Sequence, residues 1–359
     1  VARVEASIPD LSHTVVAVNA DARGPLPELL NVVNTSPLSR MTGNALAQAS
    51  GTGNADFQLK LSLPISQIDK SRVQGSVTLA GNDVRITPDT PMLGRARGVV
   101  QFSEMGFSLV GMQARALGGD VRLEGGMRAL AANAPATEAA IQLRAQGTAT
   151  AEGLQQAPQL GLLSQLAGRA TGSAPYTLAL AFRRGVPEVQ VTTSLQGLAL
   201  ALPAPLGKTA ESSLPLRYDN SLARESLTGA VTAAGTAPPL RDQITLDLGA
   251  LGSATYHRDV SGAQPRVLRG AIGVGLAPGE SAPMPTEGVA ANIQLARLDI
   301  DAWEDLLSPP RPAAASAAAS ARPAGGALAS ATQDYLPTTV ALRARELSAQ
   351  GRTLHNVVA

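Results

Sequence analysis

His13, His257 and His355 are the only imidazoles in the chain. An imidazole acts as a metal ligand or general base only where a carboxylate or a second ligand converges on it. Each of the three lies in a separate strand-like stretch without such a partner at ligand spacing, so neither a metal site nor a catalytic residue is expected among them. Asp299, Asp301, Glu304 and Asp305 form the one dense set of carboxylates. Paired carboxylates suit glycoside hydrolysis. These flank a short helix expected over 301–307, where acids near the N-terminus meet the helix dipole favourably and Asp299 or Asp301 suits the N-cap. Capping is therefore the preferred reading, and a periplasmic glycan-active enzyme the weaker one.

Gly270-Ala271-Ile272-Gly273-Val274-Gly275 has the glycines of a phosphate loop but not its strand–loop–helix context, its lysine or its Ser/Thr. It reads as a strand whose glycines relieve crowding or permit a bend. No serine sits in Gly-x-Ser-x-Gly. The absence of cysteine excludes disulfides, thiol catalysis and Cys-based metal sites. No enzyme and no cofactor is expected.

With no catalytic set to position, the elements themselves become the signal. Apolar and polar residues alternate with period 2, most cleanly over Ala55–Leu63. There Phe57, Leu59, Leu61 and Leu63 point one way, and Asp56, Gln58, Lys60 and Ser62 the other. The pattern returns at Val73–Leu79, Val121–Leu123, Ile141–Ala145, Tyr176–Phe182, Val189–Leu195, Ile244–Leu248, Val289–Leu295 and Val340–Leu342. Glycine-containing punctuation at Gly51-Thr52-Gly53-Asn54, Gly81-Asn82-Asp83, Gly118-Gly119-Asp120 and Arg184-Gly185-Val186-Pro187 suits hairpin turns. Roughly 20 strands in an antiparallel meander follow, more than one open sheet holds without curling or splitting.

The 359 residues are 44% apolar but only 16% charged, below the roughly 25% of ordinary globular chains. A net charge of +1 with scattered Lys and Arg leaves no footprint for nucleic acid. No apolar run reaches the roughly 20 residues of a membrane-spanning helix. Helical spacing appears near 26–34, 158–167 and 301–307. Residues 309–334, Ala/Pro/Ser-rich, read as a flexible loop or linker. The expected organisation is a continuous β region over 1–308, the linker, and a further β segment over 335–359. With no starting Met and an end inside an apparent strand, the chain is expected to be an internal piece of a longer protein.

Something must cover a one-sided sheet of this length. A second sheet would give a closed, dry sandwich core, suited to a structural or adhesive protein. An outer-membrane barrel needs aromatic girdles that 4 Phe, 4 Tyr and 1 Trp do not supply. A curled trough would leave its apolar inside for acyl chains, at about 0.8 kcal/mol per buried methylene. On that reading Phe57, Leu59, Leu61, Leu63, Val77, Leu79, Leu178, Leu180, Val191, Ile244, Leu246, Ile293 and Leu295 line the groove. Gln58, Lys60, Thr78, Gln190 and Thr245 face water.

The segment Leu195-Gln196-Gly197-Leu198-Ala199-Leu200-Ala201-Leu202-Pro203-Ala204-Pro205-Leu206-Gly207-Lys208 resembles the Leu-x-Gly … Leu-Pro-x-Pro-Leu-x-Lys signature of YhdP-type proteins of the AsmA-like family. Ser36-Pro37-Leu38, Leu59–Ile65, Gly75–Val77, Gly98–Phe102, Arg269–Ile272, Leu298–Trp303 and Glu346–Arg352 fit the same family. The resemblance implies a long, curved antiparallel β-sheet forming an elongated hydrophobic groove, all-β with a few short helices. It implies intermembrane phospholipid transport in a Gram-negative envelope, with phospholipid acyl chains as partners. The body would be periplasmic, held to the inner membrane through an anchor outside this chain.

Overall fold

The computed structural model describes residues 2–10, 15–35, 46–65, 67, 70–88, 90–128, 141–183, 186–228, 239–262, 264–277, 280–307 and 334–359. Val1, His13, Ser36-Pro37-Leu38, the Arg184-Gly185 turn and residues 309–333 of the expected linker lie outside them. The described residues form nineteen strands with short helices between them, an all-β fold. The chain divides into two compact units, Val1–Val191 and Thr192–Ala359.

The first unit contains β1 (Ala2–Asp10), β2 (Val15–Pro25), α1 (Leu26–Thr35), β3 (Ser50–Gly51), β4 (Asn54–Pro64), β5 (Arg72–Arg85) and β6 (Leu93–Ser103). It continues with β7 (Gly106–Ala116), β8 (Gly119–Arg128), β9 (Ile141–Thr150), α2 (Ala151–Gln155), α3 (Leu162–Ala167) and β10 (Ala170–Arg183). Every pairing from β1 through β10 is antiparallel, with the two-residue β3 set beside β5. Tight turns make this possible. Leu117 and Gly118, both at positive φ, close the β7–β8 hairpin in two residues.

Gly81-Asn82-Asp83 is a bulge inside β5 and not a turn. The register shifts on either side of Asn82 while the strand runs on to Arg85. Burial of Asn82 (2% exposed) explains the difference. Its amide donates to Thr52 O (2.8 Å) and Asn54 O (3.0 Å), and its Oδ1 accepts from the Ala80 N–H (3.0 Å). A side chain satisfied inside the sheet has no reason to reverse the chain. Such bulges, repeated between β6 and β7 and between β7 and β8, bend the sheet.

β11 (Val186–Thr193) carries the chain into the second unit. That unit holds β12 (Leu198–Leu200), β13 (Leu216–Leu222), α4 (Arg224–Thr228), β14 (Arg241–Asp247), β15 (Gly252–Asp259) and β16 (Arg266–Val274). It ends with β17 (Gly288–Asp299), α5 (Ile300–Leu307), β18 (Thr339–Ala349) and β19 (Arg352–Val358). Strands β13 to β16 pair antiparallel, but β16–β17 and β17–β18 are parallel before β18–β19 reverses again. The sheet is therefore mixed, where alternation alone suggested a meander throughout. Parallel neighbours need a return crossover of a dozen or more residues. The chain provides one between Val274 and Gly288 and another between Asp299 and Thr339.

Among the described residues most of the fully buried apolar side chains are alanines, such as Ala55, Ala96, Ala114, Ala145 and Ala291. The larger side chains of the sheet faces are mostly half-buried. No described helix is long and apolar enough to cross a membrane.

Candidate functional site

The candidate site is a pair of apolar sheet faces, one in each unit. In the first, strand register places Val4, Ala20, Leu59, Gly75, Phe102, Phe107, Met127, Ile141 and Phe182 in one row across nine strands. A second row runs Ala22, Phe57, Val77, Val100, Leu109, Gly125, Leu143 and Leu180. The row between them, on the other face, reads Asp21, Gln58, Ser76, Gln101, Ser108, Gly126 and Gln142. Directly paired residues share a face, so sequence alternation has become one apolar and one polar surface.

Of the expected lining residues, Phe57, Leu59, Leu61, Leu63, Val77, Leu79, Leu178 and Leu180 share this first face. Leu79 is buried; the others are half-buried. Gln58 and Lys60 are exposed on the reverse, where Thr78 is half-buried. Val191 is half-buried in β11.

Helix α1 covers one end of the face. Its first N–H donates to Gly53 O (2.8 Å), and a Cβ at Gly51 would stand 2.5 Å from Leu26 Cδ2. Leu26 (5% exposed), Leu29 and Leu30 pack with Ala55 and Leu79, so the floor is closed at these strand ends. The expected helix over 158–167 is a single 3₁₀ turn, Pro158–Leu160, followed by α3, with Gly161 at φ +55° between them. Helix α2 precedes both, N-capped by Thr150, whose Oγ1 accepts from the Gly153 N–H (3.0 Å). Ala149, Ala151, Ala157 and Ala167 are buried there. Toward Leu63 and Val73 the floor remains half-buried.

In the second unit Tyr218, Leu246, Ala254, Ile272, Ala291 and Val340 form one row; Asn220, Ile244, Tyr256, Gly270 and Val289 form the next. Ile293 lies on the same face, paired with Val274 and Leu342, and Leu295 follows in phase. Ile244, Leu246, Ile293 and Leu295 are half-buried, as are the expected water-facing Gln190 and Thr245.

Sequence reasoning missed a polar group on this face. Asp242 (1% exposed) lies in phase with Ile244 and Leu246, opposite Arg258. Arg258 donates from Nε to Asp242 Oδ1 (2.9 Å) and from Nη2 to Oδ2, while Nη1 donates to the Tyr335 hydroxyl (2.9 Å). Burial alone would lower the guanidinium's pKa, but its hydrogen bonds to Asp242 and Tyr335 outweigh it and hold the pKa above the usual range. The signal was present: a charge at an apolar-phase position of β14 and another at one of β15.

The other candidates resolve into structure. His257 faces Gln243 and Arg269, and burial followed by the Arg269 charge lowers its pKa. His355 is exposed and pairs in register with Glu346. Asp299 accepts from the Ala302 N–H (3.0 Å) as a helix cap. Asp301 accepts from the Gln350 and Gly351 N–H groups (2.6 and 3.0 Å), clamping the β18–β19 turn. Gly270 underlies Tyr256: a Cβ there would stand 2.5 Å from Tyr256 Cδ1. Among the described residues no His, Asp and Glu cluster could hold a metal ion. The small cavity lined by Ala282, Pro283, Ala291 and Val340 holds about 240 Å³, below the usual range for small-molecule pockets.

The proline-rich segment after β12 is organised by Lys208. Its ammonium donates to Leu195 O, Leu198 O and Thr209 O at 2.5–2.9 Å, and its backbone bridges to Leu200. Trp303 Nε1 donates to Ala204 O (3.1 Å), tying α5 to the same loop. The family described as YhdP protein matches the chain over residues 1–359. The chain belongs to the YhdP family. No curated protein and no solved structure gives a significant match. The signature lysine of this YhdP chain thus has a structural task, closing a loop beside the sheet.

Proposed function

We propose that this chain carries phospholipid between the inner and outer membranes of a Gram-negative envelope, as part of a periplasmic bridge anchored through a segment outside it. The carrying observation is the apolar row from Val4 to Phe182, nine strands wide, whose large side chains are mostly half-buried. Acyl tails lie along this floor while headgroups stay wet. The driving force is about 0.8 kcal/mol per buried methylene. Membership of the YhdP family supports the same reading. A closed, dry core would bury its central leucines, yet Leu59, Leu61 and Leu180 remain half-buried, which favours an open floor.

The test is lipid extraction and native mass spectrometry of the purified chain beside its Leu61→Asp variant. Phospholipid on the parent and its loss from the variant support the conduit. A lipid-free parent with an unchanged variant contradicts it.

A further inference from the structure

Residues 334–338 form a strap over the apolar face of the second unit. Thr338 fixes one end: its N–H and its hydroxyl donate to Val289 O at 2.8 and 3.0 Å, and its Oγ1 accepts from the Val289 N–H at 3.3 Å. Tyr335 fixes the other. Its ring meets Tyr256 edge-on at 5.3 Å, its carbonyl accepts from the Tyr256 hydroxyl (3.1 Å), and its hydroxyl accepts from Arg258 Nη1 (2.9 Å). Val289, Gly270 and Tyr256 belong to one row of the face, so the strap lies along that row. Val289, beside Thr338 in register, is only 2% exposed. Leu336, between the two attachments, is exposed and contributes nothing to the seal.

The covered row ends in Asn220, and Asp242 and Arg258 lie opposite each other in the next row of the same face. Arg258 and Asp242 form a bidentate pair, and Asn220 buries an Oδ1 without a hydrogen-bond donor. If Tyr335 leaves, Arg258 Nη1 loses its acceptor, and an unsatisfied buried donor is costly. A ligand that replaces the strap therefore needs an apolar part for the Tyr256–Gly270–Val289 row. It also needs an oxygen acceptor for Arg258, and a donor suits Asn220.

Resting on the lipid-conduit reading, we propose that the Tyr335 strap is a displaceable occupant of a phospholipid site. An acyl chain takes the row under the strap, and the lipid phosphate takes the place of the Tyr335 hydroxyl on Arg258. Tyr335 thereby sets how readily lipid enters the second unit. Apparent affinity scales with the fraction of molecules whose strap is lifted. Removing one charge-assisted hydrogen bond raises that fraction by about tenfold.

The experiment incubates the full chain with phosphatidylglycerol vesicles, re-isolates it, and measures bound lipid by native mass spectrometry. Parent, Tyr335→Phe, Tyr335→Ala and Leu61→Asp are compared, with melting temperatures recorded for each. Diacylglycerol, which lacks the phosphate, serves as the second probe. The expected result is a rise of about tenfold in half-saturating affinity for both Tyr335 variants with either lipid, because the lifted fraction is a property of the protein, and tighter binding of phosphatidylglycerol than of diacylglycerol in every one of these chains. Equal affinity for the two lipids overturns the phosphate contact. Parental affinity in both Tyr335 variants, with lipid still lost in Leu61→Asp, overturns the strap and leaves the conduit standing. No lipid on any variant overturns both.

Discussion

The ring of Phe102 lies directly over Gly75 on the neighbouring strand, where a Cβ would stand 2.3 Å from its Cζ. The two residues pair in register, and the ring stacks 5.9 Å from Phe57. Tyr256 over Gly270 repeats the device in the second unit. Glycine opposite an aromatic lets the ring lie down on the sheet, so the floor gains apolar area without being filled.

Gly75→Val should therefore force the Phe102 ring off the sheet and cost about 1–3 kcal/mol, the usual penalty of overpacking. Urea unfolding measures it. Phe102→Leu in the same chain should recover part of the loss, whereas an additive double mutant would show that the two residues do not compete for space.

Asn82→Ala removes three hydrogen bonds from a buried side chain. A loss of roughly 2–4 kcal/mol is expected. Because the Thr52–Asn54 turn also holds the first N–H of α1 through Gly53, hydrogen exchange should speed up at Leu26. Unchanged protection there would separate the bulge from the helix.

Lys208→Met leaves three carbonyls without their cation. It should destabilise the 195–210 loop by about 1.5–3 kcal/mol, seen as lost exchange protection at Gly197, whose N–H donates to Ala210 O. The lysine's part is to close a loop, so lipid bound to the first unit should be unaffected.

Asp301 is held below the ordinary carboxyl range by the Gly351 and Gln350 N–H groups. Its folded pKa is depressed, so its contribution is present above the unfolded value of about 3.9 and is lost as pH falls through the folded pKa. Exchange at Gln350 and Gly351 should accelerate in that acid window. Asp301→Asn should abolish the pH dependence.

Period-2 alternation made the strands and their faces legible, because side-chain direction follows directly from it. Phe57, Leu59, Leu61, Leu178 and Leu180 share a face for no deeper reason. What alternation cannot carry is pairing direction: Val289–Leu295 reads the same whether its neighbours are parallel or antiparallel, and the crossovers around it decide. Gly81-Asn82-Asp83 read as a turn because its composition is that of one, while burial of the Asn82 amide depends on Thr52 and Asn54, far away in sequence. The Arg258–Tyr335 contact joins residues well apart in the chain. Only the charges at apolar-phase positions hinted at it.

The central claim is that the apolar face, and not its reverse, touches lipid. A photo-crosslinking residue at position 61, 59 or 180, compared with one at position 58 or 60 in envelopes containing the whole protein, tests it most directly. The account predicts phospholipid adducts at 59, 61 and 180 and none at 58 or 60. Equal labelling of both sets, or adducts at 58 and 60 alone, would contradict it.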